Sequence, residues 1–274
     1  MSDILSRRKL IKTGIAAAAG ASGLGLATLL ADRNGLIPPD HSGIYGVGET
    51  LTYAAQRLLT ARHSLAREYN RSDISKIAPV KGEPPENETY QRLAAGGFAD
   101  WRLKIDGLVA RPSLFSLAEL QRCPSENHVF HQACEEGWSF IAEWTGVRLS
   151  YILNLVGVLP QAKYVVFFGF DTNFDAVDKR SIKGKWNSID MVDAWHPQTL
   201  LAYGMNGQEL PMPHGAPVRL RLPRQLGGKS TKYLSLITVT DTVQDIGKGV
   251  GPGGPSAASP GTPASEEIQS HFSV

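Results

Sequence analysis

The stretch His131-Gln132-Ala133-Cys134-Glu135-Glu136-Gly137-Trp138, which runs on to Trp144-Thr145-Gly146, decides how the rest of the chain is read. It holds one of only two cysteines, a histidine three residues before it, and an unusual density of Trp and Gly. A thiolate is a soft metal ligand and a strong nucleophile. A free cysteine is also among the residues most often buried as plain core. Four readings of Cys134 therefore compete: core residue, disulfide partner of Cys123, zinc ligand, or hydrolytic nucleophile with His131 as base. The zinc reading takes Cys123, His128, His131 and Cys134 as C-x4-H-x2-H-x2-C, correct ligand types at a spacing that is not a standard finger. The nucleophile reading lacks a further acid or oxyanion motif.

Upstream of this stretch, Trp101, Leu103 and Ile105 alternate with Arg102, Lys104 and Asp106, which predicts a half-buried strand closed by the turn Asp106-Gly107. Ser116-Leu117-Ala118-Glu119 is a capping box that should start a short helix, and Pro124 stops it just after Cys123. Downstream, Leu149, Ile152, Leu153 and Val156 put an apolar stripe on a helix ended by Gly157. Tyr164-Val165-Val166-Phe167-Phe168 reads as a buried strand. Gly169 to His196, rich in Asp, Lys and Asn, reads as a long functional loop.

Val218, Leu220 and Leu222 alternate with Arg219 and Arg221, so on a strand both arginines share a face. Leu234 to Val239 is a further strand. Strands outnumber helices without alternating regularly with them, which predicts an α+β fold of mixed sheets and short helices. Between the last two strands, Gly227-Gly228-Lys229-Ser230-Thr231-Lys232 looks like the end of a phosphate loop. Pro223 stands where the first glycine of that motif belongs, and a strand follows instead of a helix, so a nucleotide P-loop is disfavoured. Backbone N–H groups, two hydroxyls and two lysines, with Arg219 and Arg221 just upstream, still suit an anion; the plain alternative is a solvated basic turn.

The ends of the chain carry other information. Ser6-Arg7-Arg8-Lys9-Leu10-Ile11-Lys12 precedes an Ala/Gly-rich apolar run from Thr13 to Ala31, the pattern of a twin-arginine export signal over residues 1–31. Leu29-Leu30-Ala31 is a poor cleavage site, which leaves an uncleaved anchor open. Residues 32–92 read as an N-terminal helix and linker, with Leu51, Ala54, Ala55, Leu58, Leu65 and Tyr69 near helical spacing. Residues 93–245 form the main domain, and the Gly/Pro/Ser-rich residues 246–274 read as a disordered tail. The chain has 274 residues, enough to bury a substantial core, and a formal net charge of +2, so no broad basic field points to nucleic acid.

Taken in order, these segments resemble the molybdopterin-binding domain of the sulfite oxidase superfamily, on its bacterial branch of periplasmic methionine-sulfoxide reductase catalytic subunits. The resemblance rests on the Trp101–Val109 strand, Cys134-x-x-Gly-Trp, Trp144-Thr145-Gly146-Val147, His196–Ala202, His214–Leu220 and Gly227–Lys232, and covers roughly Asn87 to Asp241. It implies Cys134 as the ligand of a molybdenum held by one pterin dithiolene. It implies Arg219 with Ser230, Thr231 and Lys232 on the pterin phosphate, and His214, Asn87 and Tyr90 as further cofactor contacts.

The resemblance also implies an exported oxidoreductase acting on S-oxides or N-oxides, small or protein-bound. A membrane haem or quinol subunit would be its electron partner in the periplasm. The alternatives are sulfite-oxidase-like oxidation and a non-catalytic, zinc-stabilised exported binding domain. Glu135 and Glu136, which would repel an anion such as sulfite, favour a neutral substrate.

Overall fold

In a computed structural model, the chain is described at residues 29–31, 54–55, 64–134, 136–172, 184–225, 227–243 and 246. Two five-stranded sheets carry the fold. The first has the order β2-β1-β10-β5-β6: β1 (Arg102–Gly107), β2 (Ser113–Ser116), β5 (Tyr164–Thr172), β6 (Gly184–Asp190) and β10 (Leu234–Thr240). Only β1 and β10 pair in parallel within it. The second is antiparallel, β3 (Ser125–Ala133), β4 (Ser139–Arg148), β7 (Leu200–Met205) and β8 (Gln208–Glu209) in that order, with β9 (Arg219–Arg221) also on β7. The helices are short: α1 (Glu88–Ala95), α2 (Leu117–Arg122), α3 (Leu149–Val156) and α4 (Met191–Ala194). This is the α+β architecture expected, and no described helix is long and apolar enough to cross a membrane.

Local chemistry accounts for the boundaries. Ser116 and Glu119 form both halves of the capping box at the start of α2. Gly157 ends α3 at φ 69°, where a side chain would be strained. Strand β5 is apolar from Tyr164 to Phe168 because both its faces are covered there. Val165 and Phe167 enter the main core with Leu103, Ile105, Ile152, Leu220 and Ile237, where the two sheets and α3 meet. Tyr164, Val166 and Phe168 pack on the other face with Trp186 and Val243.

Three expectations are corrected. The expected loop from Gly169 to His196 is largely regular: β5 runs to Thr172, β6 spans Gly184–Asp190, and α4 follows. Its Asp, Lys and Asn residues hid a strand that alternates Trp186 and Ser188 with Asn187 and Ile189, all four buried. The expected helix through Leu65 and Tyr69 does not reach them. Ala54 and Ala55 are helical, but Ser64 to Tyr69 are extended, with Glu68 bridged to Phe130 and Leu65 exposed. Main-chain bonding to the β3 edge has overridden the helical spacing. Finally, Ile246 is buried beside Val243, so ordered packing reaches one residue into the expected tail. The rest of the tail, and the export signal up to residue 28, lie outside the described residues.

Gly146 sits at a register shift between β4 and β7. A Cβ there would lie 2.3 Å from the Leu201 carbonyl oxygen and 2.7 Å from Ala202 Cα, backbone that has no free rotamer to yield. Gly146→Ala should therefore cost about 3 kcal/mol, the upper end for overpacking. It should lower the thermal midpoint by about 6–12 °C for a domain of this size. A melting curve within about 2 °C of the wild type would refute the close approach.

Candidate cofactor site

Cys134 follows β3 at the mouth of the β3–β4 hairpin. Its N–H donates to the Trp138 carbonyl (2.9 Å) and its carbonyl accepts from the Gly137 N–H (3.0 Å). Gly137 closes the turn at φ 89°. The thiol is buried, in no disulfide, and 4.0 Å from Glu136 Oε2. Glu136 is engaged elsewhere as well: Oε2 accepts from Trp138 Nε1 at 2.9 Å, and Oε1 lies 3.4 Å from Lys81 Nζ. The expected repulsion of anions is corrected to this extent, because Lys81 offsets the Glu136 charge; Glu135 lies outside the described residues.

Behind the hairpin lie two fully buried guanidiniums. Arg219 and Arg221 approach the Trp144 ring to 5.0 and 5.3 Å from its centre. Arg219 donates to the carbonyls of His214 (2.8 Å) and Ser230 (3.0 Å). Arg221 donates to the carbonyl of His131 (2.8 Å), the strand that leads to Cys134, and to Ser230 Oγ (3.4 Å). Among the described residues no carboxylate pairs with either. Burial holds Arg219 down at about 10 and Arg221, which Arg219 also repels, at about 9. Two buried cations without counter-charge are a large desolvation cost that a bound anion would offset.

The turn from Gly227 to Lys232 completes the cradle. A Cβ on Gly227 would stand 3.1 Å from the Ala133 carbonyl and 3.2 Å from Gln132 Nε2, so the turn runs directly against the Cys134 strand. Ser230 and Thr231 are nearly buried; Thr231 Oγ1 accepts from Asn187 Nδ2 at 3.0 Å. Lys232 Nζ is held at the rim by the carbonyls of Lys81 (2.8 Å) and Pro213 (3.0 Å). Buried polar atoms without partners among the described residues include several on residues of these elements: His131 Nδ1, Gln132 Oε1, Asn187 Oδ1, Arg221 Nε and Trp144 Nε1. In a folded protein such groups are few, and a cluster of them marks a place for a polar ligand.

The remaining predicted residues take different parts. Asn87 is the N-cap of α1, accepting from the Tyr90 N–H (2.7 Å), and its amide nitrogen donates to the Phe170 carbonyl. Tyr90 is fully buried among Phe98, Phe170 and Tyr233, donates to the Ala216 carbonyl (2.9 Å), and has its hydroxyl pKa raised by that burial. Asn87 is thus tied to the Phe170 backbone and Tyr90 to that of Ala216, just after His214, rather than standing open in the cradle.

His214 packs its ring edge-on against Phe140, and burial, with Arg219 and Lys232 nearby, lowers its pKa from 6.5 to about 4. Between those pH values the unfolded chain binds a proton that the folded chain refuses. The neutral ring's contribution is thus complete above about 6.5 and lost as pH falls towards 4. We expect His214→Gln to flatten the fall in thermal midpoint of the cofactor-free protein across that window. An unchanged slope would show that other groups set it.

The zinc reading is corrected by β3 itself. His128 and His131 are three residues apart on one strand and face opposite sides. His128 instead lies between Glu68 (3.1 Å) and Glu126 (2.9 Å). Among the described residues no group of His, Cys, Asp or Glu could hold a metal ion by itself. Cys123 donates its thiol to the Glu119 carbonyl at 3.3 Å and forms no disulfide with Cys134.

Fold and site together define a cofactor-binding domain: an α+β core with one buried thiol at a hairpin mouth and a cationic, hydroxyl-lined cradle for an anionic group behind it. The chain belongs to the oxidoreductase molybdopterin-binding domain family, whose model matches residues 91–246, more than half of its length. It is 36% identical over 180 residues to an Azospira oryzae protein named as a methionine-sulfoxide reductase subunit, covering 66% of this chain and 63% of that one.

Two proteins named protein-methionine-sulfoxide reductase catalytic subunit MsrP also match. That of Ralstonia nicotianae is 32% identical, over 52% of this chain and 44% of its own. That of Xanthomonas axonopodis pv. citri is 38% identical, over 49% and 43%. The chain thus spans about half to two-thirds of the length of these curated relatives. Among solved structures, the sulfane dehydrogenase SoxCD of Paracoccus pantotrophus matches with a TM-score of 0.46 and 26% identity, over 53% of this chain and 39% of that one.

The residues fit the family's cofactor. A phosphate-bearing pterin needs buried cations and hydroxyls at one end and a soft ligand at the other, and the cradle and Cys134 are of those types. Sequence reasoning missed Asn187, because the strand that carries it read as loop. The only signal was the spacing of Trp186, Ser188 and Asp190 against Asn187 and Ile189.

Proposed function

We propose that the chain is an exported molybdopterin oxidoreductase that reduces S-oxides, including methionine sulfoxide in small molecules or proteins, with Cys134 as the protein ligand of the metal. The observation that carries this reading is the pair of buried guanidiniums on β9, Arg219 and Arg221, which no carboxylate pairs with among the described residues and of which Arg221 donates to the His131 carbonyl on the strand leading to Cys134. Arg219, Ser230, Thr231 and Lys232 would hold the pterin phosphate, with His214 beside it and Asn87 and Tyr90 bracing the wall. The cofactor supplies two-electron oxygen-atom transfer when bound. The hairpin keeps the thiol largely out of water, and Trp138 and Lys81 fix the Glu136 carboxylate next to it.

The basic, apolar N-terminal pattern supports export by the twin-arginine route to the periplasm, with residues 1–31 as the signal, 32–92 as a lead-in and 93–245 as the catalytic domain. The names of the relatives support a sulfoxide substrate and a second subunit as partner, for which we propose a membrane electron-transfer protein of haem or quinol type. The test is anaerobic: protein from a molybdenum-replete host, reduced viologen as donor, methionine sulfoxide as acceptor. Viologen oxidation that depends on sulfoxide supports the reading. Sulfite oxidation in its place, or protein that carries neither molybdenum nor pterin, overturns it.

A further inference from the structure

The two hydroxyls of the cradle have their oxygens occupied and their protons unassigned. A hydroxyl offers one proton and two lone pairs. Ser230 Oγ accepts from the Leu222 N–H (3.2 Å) and from Arg221 Nη1 (3.4 Å), which uses both lone pairs. Thr231 Oγ1 accepts from Asn187 Nδ2 (3.0 Å). Neither hydroxyl donates to another described residue, so each proton is left to point at a ligand.

The residues that impose this arrangement come from opposite sheets. Arg221 stands on β9 and is fixed by the His131 carbonyl and the Trp144 ring. Asn187 stands on β6, and its amide is oriented by a second bond from Nδ2 to the Gly228 carbonyl (3.1 Å). Arg221 has no exposed surface. It acts on a ligand through Ser230 and through its charge, which no carboxylate among the described residues offsets. A phosphate monoester carries close to two negative charges near neutral pH, and the Arg221 guanidinium lies behind Arg219 and Lys232 as a further buried positive charge facing them.

We propose that Arg221 and Asn187 are positioning residues of the anion cradle. They hold the Ser230 and Thr231 hydroxyls as donors towards the phosphate of the bound cofactor, and Arg221 adds a positive charge to those of Arg219 and Lys232. This rests on the functional reading above and assigns roles to two residues that the family resemblance does not carry.

The experiment compares full-length wild type, Arg221→Lys, Arg221→Met and Asn187→Asp from a molybdenum-replete host. Circular dichroism and melting establish folding; pterin per chain and its rate of release into phosphate buffer are the readouts. Arg221→Lys keeps the charge and should stay within about twofold of wild type, whereas Arg221→Met fills the space without charge and should release pterin about tenfold faster or more, as expected for losing a charge-assisted bond. Asn187→Asp has the same shape but accepts from Thr231, which turns that proton inward, and should release pterin at least about tenfold faster as well.

Folded Met and Asp variants that keep pterin like wild type overturn the inference. So does a loss of pterin that tracks a loss of folding, or a Lys variant as leaky as the Met one. Wild type without pterin would instead overturn the functional reading. The inference is then judged with inorganic phosphate: a rise in melting midpoint seen in wild type and absent from the Met and Asp variants upholds it, and no rise in wild type overturns it.

Discussion

Cys134→Ala is expected to give a folded chain without molybdenum and with sulfoxide reduction lowered by more than about a hundredfold, since changing an outer partner of a metal ligand alone can cost that much. Folding should survive because the side chain is small and its hydrogen bond to Glu136 is long, at 4.0 Å. The hairpin is held by backbone bonds of Cys134 to Trp138 and Gly137 that alanine also makes. The melting midpoint of the cofactor-free variant should stay within about 4 °C of wild type, the effect of roughly 1 kcal/mol on a domain of this size.

Cys134→Ser should behave the same way, because a serine hydroxyl is harder than a thiolate and stays protonated at neutral pH. Pterin should persist in part, held by Arg219 and the Ser230 turn. Elemental analysis alongside acid-released pterin separates the two ends of the site. Molybdenum unchanged in either variant would remove Cys134 from the metal, and loss of pterin and metal together in equal measure would make the cradle secondary to the thiol.

What could be read in the sequence, and what could not, divides along physical lines. Period-two alternation put Trp101 to Gly107, Val218 to Leu222 and Leu234 to Val239 on strands, because each has at least one well-defined apolar face. Helix α3 announced itself by its stripe and by Gly157. The same rules failed on β6, whose inner positions include Asn187 and Ser188: buried polar residues that serve the cradle look like solvent-facing ones.

At Arg219 and Arg221 alternation put both on one face and left open whether that face meets an anion or is a solvated basic surface. The structure buries it completely against Trp144. His128 and His131, by contrast, misled. Their spacing looked like ligand spacing until β3 set them on opposite faces.

Trp144 is where folding and cofactor binding become inseparable, and Trp144→Ala should show it as the largest loss of stability among the substitutions considered. The indole is fully buried, packs with Phe140 and supports both guanidiniums. Removing a buried Trp side chain costs about 3–5 kcal/mol. Two desolvated cation–π contacts add about 2 kcal/mol or more each if nothing replaces them. Water entering the space would solvate the guanidiniums and return part of that second loss, so the net cost should lie nearer the first figure.

Against a total stability of about 5–15 kcal/mol, such a change brings the domain close to unfolding. The expected fall in melting midpoint is about 6–20 °C. Trp144→Phe keeps a π face under both arginines and should lose less than half as much. The two variants decide between packing and charge support. If Phe restores volume but not stability, the indole's stronger hold on the cations is what matters. If Trp144→Ala melts within about 4 °C of wild type, the guanidiniums are held by their carbonyl partners alone, and the buried pair owes its place to Ser230, His131 and His214 rather than to the ring.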